Sequence, residues 1–117
     1  MKQYGTGLQG EQQAEAYLCG KGMSPVARRY RAEDGEIDLI MMDGETVVFI
    51  EVKARPTARA GMGLMAVTPA KRRRMTHAAL AFLVEREWMN HPVRFDVVEI
   101  TSRGILHVEN AFMATGQ

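Results

Sequence analysis

Cysteine is almost absent: the 117-residue chain has one, Cys19. No internal disulfide can form, which excludes a stapled scaffold and fits a reducing compartment. Cys19, near a helix end with no evident base, reads as a small core residue. No apolar run approaches the roughly 20 residues that a membrane span needs. The first residues lack a basic-then-apolar signal pattern. The expectation is a cytoplasmic protein without a membrane partner. Neither sign of charge dominates. The formal net charge is +1, so any affinity for nucleic acid has to come from a local patch. His77, His91 and His107 lack metal-ligand spacing among themselves and read as surface or packed residues. No glycine-rich phosphate loop, internal repeat or low-complexity tract is present. What the chain does have is apolar content, 46% of its residues. That suffices for one real core, so residues 1–117 are expected to form a single domain.

Residues 6–19 read as a helix. Thr6 followed by Gln9 suits a capping box, and Gly20 and Gly22 supply a stop. Leu8, Ala14, Tyr17 and Leu18 form an apolar stripe, and Glu11 shares the face of Ala14 and Leu18. Strands are expected near 24–31, 36–42 and 46–53, the last two turning at Asp43-Gly44. Residues 54–67, with Arg55, Arg59, Gly61 and Gly63, read as a mobile loop. Thr68-Pro69 starts a second helix, hydroxyl at the cap and proline at the first position. Met75, Ala78, Ala79, Phe82 and Leu83 keep its period to about Trp88. "HPVRFDVVEI" opens a fourth strand, and Ile105–Glu109 pairs back as a fifth. The order α-β-β-β-α-β-β implies an α/β sandwich, a mixed central sheet flanked by helices.

The hairpin "GEIDLIMMDGETVVFIEVKARP", residues 35–56, carries acids inside strands that otherwise want burial. Strand side chains alternate, so Glu36, Asp38 and Ile40 share one face, as do Val47, Phe49, Glu51 and Lys53. A turn centred on Asp43-Gly44 would pair Met42 with Glu45, Asp38 with Phe49 and Glu36 with Glu51. Asp38 and Glu51 then become diagonal neighbours about 7–8 Å apart. From there they could share one cation. Magnesium commonly takes one or two carboxylates and completes its shell with water and phosphate oxygens. Lys53 would lie in the same cluster, and Glu36 is an additional candidate ligand. The opposite face, with Ile37, Leu39, Met41, Val48, Ile50 and Val52, belongs against a helix. A plainer reading also stands: Glu-x-Lys on one strand is commonly an exposed, self-compensating pair.

Lys71 to Arg74 fall in the first turn of the second helix, where cations are unfavourable because the helix N-terminus is already partly positive. Phosphate binding explains that choice, since exposed amides and cations would hold the same anion. Lys71 lies four before Met75, on the core-facing stripe, and so points toward the hairpin. Arg55, Lys71, Arg72 and Arg73 are the candidate phosphate contacts. A solvated face is the alternative for each basic run.

Asp38 followed by Glu51-Val52-Lys53 resembles the PD-(D/E)XK nuclease signature. "GEQQAEAYL", "GEIDLI", "VFIEVKAR", "AVTPAKRRRM" and "RFDVVEI" together resemble the YraN-like family of small bacterial predicted endonucleases, related to Holliday-junction resolvases. The resemblance spans nearly the whole chain. It implies a restriction-endonuclease-like αβββαβ core. It implies Asp38 and Glu51 as ligands of Mg2+ or Mn2+, Lys53 serving the attacking water, and Glu11 as the helical acid that many relatives add. The usual proline before the aspartate is Ile37 here. The implied activity is metal-dependent hydrolysis of DNA, selective for branched or junction structures in repair or recombination. A homodimer follows from likeness to resolvases, where two cuts need two sites. The rival readings are a non-catalytic nucleic-acid-binding module and a metal-binding adaptor.

Overall fold

Alternating apolar residues and well-placed turn chemistry give five strands and two helices in the computed structural model, which describes residues 7–55 and 67–114. The elements are α1 (Gly7–Gly20), β1 (Ser24–Ala32), β2 (Gly35–Asp43), β3 (Thr46–Ala54), α2 (Pro69–Arg86), β4 (Val93–Thr101) and β5 (Gly104–Phe112). The strands form one sheet in the order β1-β2-β3-β4-β5. Only β3 and β4 run parallel; the other three pairings are antiparallel. A parallel pair needs a crossover, and α2 supplies it. This is the expected mixed sheet with helices, consistent with the restriction-endonuclease-like core. Thr6, Arg59 and most of the loop expected at 54–67 lie outside the described residues.

Helix ends follow their sequence signals. Gly22 takes φ +100°, and the Lys21, Gly22 and Met23 amides turn back onto the Leu18 and Cys19 carbonyls. Thr68 caps α2 by accepting the Lys71 amide at 3.2 Å, with proline at the helix start. Glu87, at φ 60°, closes α2 just before the expected end at Trp88.

Two apolar layers sandwich the sheet. Ile37, Ile40, Val47, Phe49, Phe95 and Val97 pack against Met75, Ala78 and Phe82 of α2. Leu39, Met41, Val48, Ile50 and Val98 pack against Ala14 and Leu18 of α1. Cys19, expected in the core, is exposed; it sits at the end of α1, past the buried stripe.

The hairpin departs from expectation in two ways. Met42 pairs with Val47, not with Glu45, and Asp43 pairs with Thr46. The loop is therefore Gly44-Glu45, with Gly44 at φ +64°, the position where a two-residue turn demands glycine. A shift of two residues leaves the faces unchanged, but it moves Asp38 toward Glu51 and Glu36 away from it. Secondly, Ile37 joins the α2 layer although Leu39 and Met41 lie in the α1 layer. The chain thus turns over at Asp38. Across from it on β1, Arg29 has φ 49°, and Arg28 reaches α1 while Tyr30 reaches α2. Simple alternation fails where two neighbouring strands twist together.

Candidate functional site

The turnover at Asp38 opens the sheet. Paired residues of β2 and β3 end at Leu39 and Ile50. Beyond that point the Asp38 carboxylate takes over a backbone role, with Oδ2 accepting the Val52 amide at 2.8 Å. Continuing the observed register puts Asp38 opposite Glu51, closer than the diagonal expected from sequence. Their carboxyl groups meet. Burial pushes the Asp38 carboxyl up to about 7, helped by the charges of Glu51 and Glu11 and by the side-chain contact with Glu51, while the Val52 amide opposes the rise.

Glu51 is buried, 3% exposed, so it is no surface ion-pair partner. Its Oε2 lies 3.3 Å from Lys53 Nζ and 3.2 Å from Lys71 Nζ. Its Oε1 is buried with no hydrogen-bond partner. One oxygen thus has two ammonium groups and the other has none. A buried carboxylate oxygen left bare is costly. A hard cation is the kind of partner that would satisfy it, and two neighbouring carboxylates match what magnesium takes from a protein. Among the described residues no group of three or more His, Cys, Asp or Glu is gathered to hold a metal ion. Glu11, expected as a third ligand, acts on Asp38 through its charge. Its carboxylate is held by Arg29, Nε to Oε1 2.7 Å.

The remaining candidates separate. Glu36 is exposed and pairs with Arg31 at 3.5 Å; the register moved it out of reach of Glu51. Arg55 is exposed, and its amide bonds the Ile100 carbonyl at 2.8 Å, extending the sheet edge. Arg72 is engaged elsewhere: Nε donates to the Val67 carbonyl at 3.0 Å, and the guanidinium lies 5.3 Å from the Phe112 ring centre. Arg73 is exposed. Lys71, named as a phosphate contact, reaches Glu51 as its place on the helix stripe suggested.

Three residues at or near the site carried no separate signal. Arg29 tethers Glu11. Its guanidinium is driven further into the charged form by the hydrogen bond to Glu11 and, more weakly, by Asp38 and Glu36. Glu99 is buried and pairs in register with Lys53 across the parallel strands. Arg74 joins Arg31 and Lys71 around a cleft of about 500 Å³. Gly35 is part of that cleft's wall, and a β-carbon there would overlap the Arg74 carbonyl oxygen. That explains glycine ahead of Glu36-Ile37-Asp38: β2 starts pressed against α2.

The model of the uncharacterised protein family UPF0102 matches residues 10–100. A UPF0102 protein of Saccharophagus degradans is 44% identical, covering 92% of this chain and 92% of its own length. One from Geotalea uraniireducens is 41% identical, covering 91% and 87%, and one from Pseudomonas putida strain GB-1 is 42% identical, covering 91% of each. No helix among the described residues is long and apolar enough to cross a membrane. At this identity and coverage the chain belongs to the uncharacterised family UPF0102, the YraN family.

Proposed function

We propose that the protein is a divalent-cation-dependent nuclease that hydrolyses DNA phosphodiester bonds, with branched or junction DNA as the favoured substrate. One observation carries the reading: a buried Glu51 with one oxygen bare, against an Asp38 carboxyl that is itself pushed up to about 7. The Val52 amide accounts for an acceptor at Asp38, but no group among the described residues accounts for the bare Glu51 oxygen. Asp38 and Glu51 would hold Mg2+ or Mn2+. When bound, such a cation supplies Lewis-acid activation of water and of the phosphoryl group. Lys53, beside Glu51, is placed to orient the attacking water and to offset negative charge as it develops on the phosphate. Arg29 pairs with Glu11 at 2.7 Å and offsets its charge, which leaves Asp38 and Glu51 as the acids that would draw a cation. Arg55, Arg73 and Arg74 would contact backbone phosphates, giving affinity and placement without sequence readout.

The test is a cleavage assay on four-way, flapped, single-stranded and linear DNA with Mg2+, Mn2+ or a chelator. Asp38→Asn keeps an acceptor for the Val52 amide, and Lys53→Met keeps the apolar stem. Both are expected to lose at least 100-fold in cutting while DNA binding persists. Full activity in Asp38→Asn would refute the assignment. Salt-dependent binding without cleavage in the wild type would make the protein a binding module instead.

A further inference from the structure

We propose that the cleft between the β1–β2 turn and the start of α2 binds one backbone phosphate of the nucleic acid, and that Lys71 passes from Glu51 to that phosphate as it enters. The inference rests on the nuclease reading and adds to it a phosphate subsite and an order of events. Phosphate entry and cation binding at Asp38 and Glu51 then favour each other.

The cleft's size and lining suit that ligand. A cleft of about 500 Å³ has room for a phosphodiester group together with its water. Arg31, Lys71 and Arg74 line it together with Glu33, Asp34 and Glu36; Asp34 also faces His77 Nδ1 at 3.1 Å. The acids limit how much negative charge the cleft will accept, which suits one phosphodiester better than a run of them. Arg31 is available despite its 3.5 Å contact with Glu36, because the two side chains are 81% and 51% exposed and such pairs hold weakly in water.

Lys71 is the link between the cleft and the carboxylates. It lines the cleft, and its ammonium lies 3.2 Å from Glu51 Oε2. Lys53 already serves the same oxygen at 3.3 Å. Either lysine alone would give Oε2 a charged partner, so one of them is surplus. Lys53 is fixed by its place on β3, two residues from Glu51. Lys71 comes from a separate element on a four-carbon stem, with its side chain 26% exposed, so it can swing. A divalent cation at Asp38 and Glu51 would add two positive charges beside both ammonium groups, and removing Lys71 relieves that repulsion. An incoming phosphate offers Lys71 a new anion within the cleft it already borders. Because the two events are coupled through one side chain, each must strengthen the other by the same factor.

Titration calorimetry of Mn2+ tests this, with and without a 20-base-pair duplex carrying phosphorothioate linkages, after subtracting Mn2+ taken up by the DNA alone. Wild-type protein is expected to bind Mn2+ at least fivefold more tightly when the duplex is present. Lys71→Met and, as a polar second variant, Lys71→Gln are expected to bind Mn2+ more tightly than wild type without DNA, and to gain less than twofold from the duplex. Arg74→Ala should keep the DNA-free Mn2+ affinity and weaken duplex binding. Equal Mn2+ affinity with and without duplex in the wild type, or intact coupling in both Lys71 variants, overturns the proposal. If cation-dependent cutting is nonetheless observed, the nuclease reading survives that result. A wild-type protein that binds Mn2+ under neither condition overturns both.

Discussion

At Asp38 one carboxyl group accepts the Val52 amide, faces Glu51 and sits largely out of water. Its rise from 3.8 to about 7 has a direct consequence for stability. Below about pH 4 folded and unfolded chains both hold the proton, and Asp38 adds no cost. Between there and about 7 only the folded chain holds it, so stability falls as pH rises, and above about 7 the full cost remains. At about 1.4 kcal/mol per unit, coupling to Glu51 leaves an expected gain of order 1–4 kcal/mol for Asp38→Asn at pH 8, vanishing near pH 4. Urea unfolding at the two pH values checks it; no gain at pH 8 would mean the buried acid is not a burden. Gly35→Ala is expected to lose about 1–3 kcal/mol, the usual range for overpacking, since the Arg74 carbonyl cannot give way without moving α2. A thermal melt reads that loss. Glu51, Lys53 and Lys71 were legible from residue type and periodicity; Asp38 was legible as an acid in the hairpin, but not its place opposite Glu51, which the two-residue register shift sets. Arg72 was not: which way a long side chain leans depends on the nearby Val67 carbonyl and on Phe112, 40 residues further along the chain. Glu99 was hidden because parallel pairing, which sets it beside Lys53, leaves no local mark.

Among the elements, β4 and β5 are tied by a buried polar group that the sequence showed only as scattered residues. Asp96 is fully buried. It meets His107 Nε2 at 2.7 Å, two guanidinium nitrogens of Arg94 at 2.9 and 3.0 Å, and the Asn110 amide at 2.9 Å. Lys21 Nζ lies 2.7 Å from His107 Nδ1. An ammonium can only donate, so Nε2 carries the hydrogen directed at Asp96. Burial pulls the Asp96 carboxyl upward, but the His107, Arg94 and Asn110 hydrogen bonds outweigh it and hold the group below its ordinary value. The stabilisation is present above about pH 4 and is lost as pH falls further. Asp96→Ala leaves the His107 Nε2–H without its acceptor and Arg94 with Asp43 alone, at 3.0 Å, and a loss of about 1–3 kcal/mol is expected at pH 7, with the difference from wild type shrinking in acid. Chemical denaturation at pH 7 and pH 3 measures it. Strand and helix boundaries were readable from turn chemistry and caps. The turnover at Asp38 was not, because Ile37 changes layers through a twist that β1 and β2 adopt jointly.

For the whole molecule, a net charge of +1 gives no general attraction to DNA, so the proposed nuclease would have to bind through the local patch around α2. Cation binding should also register globally. A ligand taken up only by the folded state adds about 2.7 kcal/mol when present at 100 times its dissociation constant. Millimolar Mg2+ or Mn2+ is therefore expected to raise the melting temperature of wild type and to leave Asp38→Asn nearly unmoved; scanning calorimetry with and without chelator decides. The mixed sheet and its helices followed from element order, because a parallel return demands a crossover of α2's kind. Sheet margins have a further consequence. β1 is broken by a register shift between Pro25 and Ala27 and by Arg29 at φ 49°, and β5 by Asn110 at φ 53°. Interrupted outer strands make poor templates for another chain. The distortion that aims Arg29 at Glu11 thus also discourages neighbouring molecules from stitching themselves onto the sheet's rim, and an assembly of two copies would have to meet through other surfaces.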